Sequence, residues 1–140
     1  MEMLKKEILE HFKQTQTVYF ATCNEKQPYV RPVTLIHINN EFFIATSYDD
    51  SKVNQIRKNP NIEFCLMIPK NENETGYVRA KGKADLSMKV ESKKMVFDNI
   101  EFIKQFWNSH EHPDFTLVEI EISEFEYIRP GKTTAEKLKL

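Results

Sequence analysis

Three glycines, two cysteines and a single tryptophan in 140 residues leave little of what several protein classes require. Cys23 and Cys65 stand far apart, each inside an apolar stretch, and neither has a C-x-x-C partner. No disulfide framework or redox pair is indicated, and both thiols read as buried structural side chains. No apolar run approaches the ~20 residues of a membrane helix, and the start MEMLKKEILEHF does not have the pattern of a signal peptide, so a cytoplasmic location is expected. Neither charge sign dominates: 20 basic and 21 acidic side chains argue against a general nucleic-acid or membrane-surface binder. There are no repeats, no low-complexity tracts and no linker for a second domain. No Ser-His-Asp set or carboxylate pair stands out, which argues against hydrolysis.

What is present suits one compact domain over residues 1–140, 40% hydrophobic and 29% charged. A chain of this length buries roughly two-thirds of its unfolded surface, enough for a core without metals or disulfides. Met3, Leu4, Ile8, Leu9 and Phe12 recur at helical spacing and predict an amphipathic opening helix over residues 3–12 that caps a core. Val18 to Cys23 reads as a short strand ending in a turn at residues 24–27. Asn61 to Pro69 reads as a strand buried on both faces, followed by an exposed loop, KNENET.

Gly76 to Leu86 alternates, with Tyr77, Arg79, Lys81 and Lys83 on one face and Val78, Ala80, Gly82 and Ala84 on the other. The small residues on that second face fit a close-lying backbone, a flat ligand or a barrel bend. Residues 87–106 read as one helix, and Phe115 to Ile122 and Phe125 to Ile128 as two strands. Residues 132–140 read as a basic tail or short helix. His110 and His112 beside Asp114 have no third ligand at a recognisable spacing, so exposed loop histidines are expected rather than a metal site. Some six strands with few helices predict an antiparallel barrel with helices at its ends.

The richest stretch is residues 29–59, YVRPVTLIHINNEFFIATSYDDSKVNQIRKN. Two β-rich segments flank Asn39-Asn40, and asparagine tolerates the left-handed backbone of a two-residue hairpin turn. Counting outward from the turn places Ile38 opposite Glu41, Leu35 opposite Ile44, Val33 opposite Thr46 and Arg31 opposite Tyr48. Asp49, Asp50 and Ser51 are all good N-cap residues for a helix that Asn59-Pro60 stops. A helix start offers free N–H groups and the positive end of its dipole. Arg31, Ser51 and Lys52 could converge there as a phosphate cradle. The alternative is a salt bridge from Arg31 to Asp49 or Asp50 with Lys52 in solvent.

The run P-x-V-R-P-V, then I-A-T-S, then S-K-V-x-x-I-x-x-N-P resembles the pyridoxamine 5'-phosphate oxidase-like, FMN-binding split-barrel family, especially its short general-stress-protein branch. GYVRAKGKADL and LVEIEISEFEYI extend the resemblance over nearly the whole chain. It implies an antiparallel split β-barrel and a homodimer with FMN at the subunit interface. It also implies that Arg31, Ser51 and Lys52 take the phosphate, with Thr46 and Ser47 near it or the ribityl chain. Pro32, Val33 and Thr34 would run along the isoalloxazine edge. Tyr77, Arg79 and Trp107 are further cofactor-site candidates from the same resemblance.

The sequence departs from the family where many relatives carry a second basic residue beside the Lys52 position; here that residue is Ser51. True pyridoxamine 5'-phosphate oxidases carry a lysine where this chain has Ile36, and a closing arginine–histidine segment it lacks. The resemblance therefore implies a flavin-dependent oxidoreductase with another small-molecule substrate and a nicotinamide as plausible donor, with no catalytic residue assigned. The alternatives are a non-catalytic flavin-binding stress protein, or a barrel that binds heme or a deazaflavin.

Overall fold

A computed structural model describes residues 2–140. In chain order the elements are α1 (Glu2–Leu9), β1 (Thr15–Asn24), β2 (Gln27–Ile38), β3 (Glu41–Ser47), α2 (Ser51–Lys58), β4 (Asn61–Pro69), β5 (Thr75–Leu86), α3 (Val90–Asn99), a 3-10 turn (Glu101–Gln105), β6 (Phe115–Ile128) and β7 (Glu136–Lys139). The strands form one antiparallel sheet in the order β3-β2-β1-β4-β5-β6-β7, and a β3–β6 pairing closes it into a ring. This is the split-barrel class. No described helix is long and apolar enough to cross a membrane.

The Asn39-Asn40 turn forms as expected, with φ of 52° and 60°, the left-handed pair that a two-residue hairpin demands. The register expected beyond it does not. β2 and β3 pair only at Ile36–Phe43, His37–Phe42 and Ile38–Glu41. Beyond Phe43 the third strand belongs to β6, from Phe42–Ile120 to Ser47–Phe115, while β2 continues along β1. Leu35, Val33 and Arg31 therefore do not face Ile44, Thr46 and Tyr48. β6 pairs with the opposite edge of β3, so the two ladders share Phe42 and Phe43 and only the β2 side of β3 opens beyond them.

Parity then fixes what the parted β2 presents. In a two-residue hairpin the residues flanking the turn exchange both hydrogen bonds, so Ile38 and the other even-numbered residues aim their backbone groups away from β1. Pro28 and Pro32 fall on those even positions, where a missing N–H costs no ladder bond. Between Gln27 and Leu35 that side of β2 pairs with no described strand. The open edge carries the N–H groups of Val30 and Thr34 together with their carbonyls and those of Pro28 and Pro32.

Two cores result. Inside the ring, Phe12, Val18, Phe20, Leu35, Phe42, Phe64, Val78, Val118 and Phe125 pack together, with α1 supplying Ile8. Phe12 makes edge contacts with Phe42 and Phe64 at 5.1 and 6.1 Å. Outside the ring, α3 and the 3-10 turn cover β3 and β6 with Val96, Phe97, Ile100, Ile103 and Trp107 against Phe43, Phe115 and Leu117. Among the described residues nothing comparable covers the outer face of β1, β2, β4 and β5, where Tyr19, Val30 and Met67 are 49%, 70% and 45% exposed.

Several expectations need correction. β4 buries one face only: Ile62, Phe64, Leu66 and Ile68 point inward while Met67 is exposed. Cys65 sits on that open face and, like Cys23, is half-buried rather than buried. Residues 87–106 are not one helix, because Ile100 takes an extended backbone (φ −115°, ψ 104°) between α3 and the 3-10 turn. The expected pair of strands at residues 115–128 is one strand carrying a bulge. Lys81 pairs with Glu124 but Gly82 with Ile122, leaving Ser123 as the extra residue, its Oγ donating to Lys81 O at 3.1 Å. A Cβ on Gly82 would lie 2.0 Å from Glu121 O, so the small residue there serves a close backbone approach. The end of the chain is neither tail nor helix: β7 pairs with β6, burying Leu138 opposite Phe125.

Candidate functional site

The β1–β2 ladder places Arg31 opposite Phe20, and Thr22 follows two residues on along the same face. Arg31 Nη1 donates to Phe20 O at 3.2 Å and to Thr22 Oγ1 at 2.9 Å, and Nη2 donates to Gln55 Oε1 at 2.8 Å. All three acceptors are uncharged. Burial lowers the guanidinium's pKa, and the charge of Asp50 acts in the opposite direction. The group stays cationic, because arginine lies far above neutrality.

Gln55 belongs to α2, one turn beyond Ser51, so both share a helix face. Thr22 Oγ1 also donates to Gln55 Oε1. Asp50 is the N-cap, its Oδ1 accepting from Lys52 N at 3.0 Å. The same oxygen lies 3.0 Å from Lys52 Nζ, whose side chain is only 10% exposed. Burial pushes Asp50 toward its neutral form, but the Lys52 hydrogen bonds and the charges of Lys52 and Arg31 outweigh that. Its carboxyl stays below the ordinary aspartate range. The alternative arrangement does not form: Lys52 is buried rather than in solvent, and no salt bridge joins Arg31 to Asp49 or Asp50.

Ser47 and Tyr48 connect β3 to this helix start. Tyr48 N donates to both the backbone O and, at 3.2 Å, the Oδ1 of Asp114. Trp107 Nε1 donates to Asp114 Oδ2 at 3.0 Å. The Trp107 bond, then Ser47 and Tyr48, hold the Asp114 carboxyl below its usual range against the effect of burial. Trp107 itself is buried in the outer core.

The predicted candidates therefore fall into groups. Arg31, Ser51 and Lys52 gather around the start of α2, with Thr46 buried opposite Thr116 in the adjoining ladder. Pro32 and Thr34 stand exposed along the open β2 edge, with Val33 turned inward against the core. Ser47 and Trp107 meet at Asp114. Tyr77 and Arg79 are not brought to the helix start. The register puts Pro32, Tyr19, Cys65 and Arg79 in one row across four strands, which separates Pro32 from Arg79 by roughly 14 Å. Arg79 is engaged by Glu63 at 2.6 Å and Glu126 at 2.9 Å, and Tyr77 donates to Glu126 at 3.1 Å.

Thr22, Gln55 and Asp114 were missed as parts of this arrangement, whereas Asp50 is the N-cap that the sequence offered together with Asp49 and Ser51. Counting back from the Glu25-Lys26 turn would have placed Phe20 opposite Arg31 and Thr22 beside it. The i, i+4 spacing of Ser51 and Gln55 was also readable. Asp114 carried no such local signal, since its partners lie in separate elements.

The family model described as pyridoxamine 5'-phosphate oxidase matches residues 4–129. The chain belongs to that family. General stress protein 26 of Bacillus subtilis is 23% identical over 137 residues, spanning 98% of this chain and 96% of that protein. The crystal structure of General Stress Protein 26 from Bacillus anthracis superposes with a TM-score of 0.78 at 22% identity, covering 98% of each chain. A nimC/nimA family protein from Clostridium acetobutylicum gives 0.78 at 22% identity, covering 96% of this chain and 91% of its own. Likeness at this level of identity shows a common split-barrel fold.

Proposed function

We propose that this member of the pyridoxamine 5'-phosphate oxidase family binds FMN between two copies of the chain and serves as an oxidoreductase for a small molecule other than pyridoxamine 5'-phosphate. The observation that carries the reading is the state of Arg31. Its charge is held in place by three neutral acceptors and left without a bonded carboxylate, beside Lys52 and the positive end of α2. Those groups fit a phosphate, with Arg31, Lys52 and the Ser51 hydroxyl as its ligands.

From there the open edge of β2 leads away, offering Thr34 and Val30 N–H groups and neighbouring carbonyls to the polar rim of a flat ring. The adjoining outer face, with Tyr19, Val30, Pro32, Cys65 and Met67, supplies apolar area for a second copy. Bound there, the flavin would supply the hydride or electron chemistry, and the protein's part is to hold, orient and shield it. Pyridoxamine 5'-phosphate is disfavoured because Ile36, at the family's lysine position, is fully buried in the outer core. Heme has less support: His112 Nδ1 accepts from Asp114 N at 3.1 Å, and the His110 ring packs against Phe97.

The test is a visible absorption spectrum of the purified protein before and after adding FMN and desalting. A retained flavin band that disappears in Arg31→Ala/Lys52→Ala, with the melting transition preserved, supports the reading. Full flavin occupancy in that variant would refute the site. Bleaching of the bound flavin by a reduced nicotinamide separates the enzyme from a flavin store or sensor.

A further inference from the structure

We propose that Asp50 is a built-in occupant of the anion site at the start of α2, and that its carboxylate limits how tightly the site takes a phosphate by competing for Lys52. The inference rests on the FMN reading and adds a control on that same site. Phosphate binding at a helix start relies on the first-turn N–H groups and on nearby cations. Here one carboxylate oxygen holds two of those donors, Lys52 N and Lys52 Nζ, each at 3.0 Å. Val53 N and Asn54 N are turned to Asp50 O within the helix. Ser51 N is the first-turn donor left without a bonded acceptor among the described residues.

Arg31 is the other half of the cradle and has only neutral partners, so Asp50 is where the two positive charges meet a negative one. Asp49, its neighbour, is exposed and forms no ion pair among the described residues. A phosphate arriving at Lys52 must displace the Asp50 carboxylate or lie against it, and either costs affinity through like-charge repulsion. A flavin without a phosphate meets no such penalty. Asp50 therefore sets the margin by which a phosphorylated ligand is preferred over its unphosphorylated form.

The experiment titrates FMN and riboflavin into the wild-type protein, Asp50→Asn and Asp50→Ser. Asparagine and serine both cap helices well, so α2 keeps its start, and melting of the flavin-free proteins checks this. The expected result is FMN bound about tenfold or more tightly by both variants, with riboflavin unchanged. FMN affinity equal in all three proteins, and above that for riboflavin, overturns the inference and leaves the FMN reading standing. FMN bound more weakly by the variants also overturns it, and makes Asp50 a positioning residue for Lys52. No preference for FMN over riboflavin in any of the three overturns both.

Discussion

Gln55 Oε1 accepts from Arg31 Nη2 at 2.8 Å and from Thr22 Oγ1, so a helix side chain fixes the aim of a strand arginine. Both lone-pair directions of that oxygen are used, and its neutrality leaves the guanidinium charge for a ligand. Gln55→Glu places a carboxylate at the same spot. FMN affinity is expected to fall about tenfold, because the new charge neutralises Arg31. Flavin titration with a parallel thermal melt measures it. Unchanged affinity would show that Arg31 does not face the phosphate.

The outer face of the sheet yields a prediction about assembly. Wild-type protein is expected to scatter light with twice the 16.6 kDa mass of one chain. Tyr19 lies between Pro32 and Cys65 in register, with 49% of its surface open. Tyr19→Glu sets a charge in the middle of the patch and should shift the protein to monomer and weaken flavin retention together. A dimer that persists in this variant would place the interface elsewhere.

Gly82 tests the bulge. Its missing Cβ leaves room for Glu121 O, which a methyl group would meet at 2.0 Å. The obstacle is backbone in a paired strand, so neither side yields without loss of ladder hydrogen bonds. Gly82→Ala is expected to lower unfolding free energy by about 2 kcal/mol or more, read from urea denaturation.

A fourth prediction concerns the clasp between α1 and the chain end. Glu7 accepts from Arg129 Nε and Nη2 at 2.8 and 3.0 Å and from the Tyr127 hydroxyl at 2.8 Å. Those bonds, Arg129 first, hold the Glu7 carboxyl below its ordinary range. A depressed carboxylate stabilises the fold above the ordinary glutamate pKa, and that contribution is lost as pH falls through the lowered value. Burial, then Glu7, push the Tyr127 phenol up to about 12. Its contribution is present below the ordinary tyrosine pKa of about 10 and lost as pH rises through the raised value. Tyr127 should therefore be the last of the five tyrosines to ionise in a phenolate absorbance titration. Glu7→Gln should bring its transition down.

What the sequence made legible was local. The Asn39-Asn40 turn, the cap before Ser51 and the alternation through Tyr77–Ala84 each depend on a few neighbouring residues, and each is present. Errors came where distant chain decides. No local signal tells β3 to leave β2 after Phe43 or to pair on its other edge with Leu117 and its neighbours, which lie far along the sequence. Ser123 looked like a break because a bulge and a strand end have similar composition. The alternative of a solvated Lys52 rested on what helix lysines usually do; here the side chain is buried with its ammonium on Asp50. Arg31 was brought to Ser51 and Lys52 by a hairpin register that does not form; its actual place, and the neutral partners that keep it free, come from the β1 register.

The departure of β3 from β2 also orders events in time. The β1–β2, β2–β3 and β4–β5 hairpins join near neighbours and can form early, whereas the ring shuts only when Phe42 finds Ile120. Contacts of such long sequence separation are slow to form. Tyr48 and Asp114 meet across that same seam, so the loop leading into α2 is tied down only once the ring has closed. During synthesis the ring stays open until β6 has emerged, and a flavin added to refolding chains would report on closure rather than on the early hairpins.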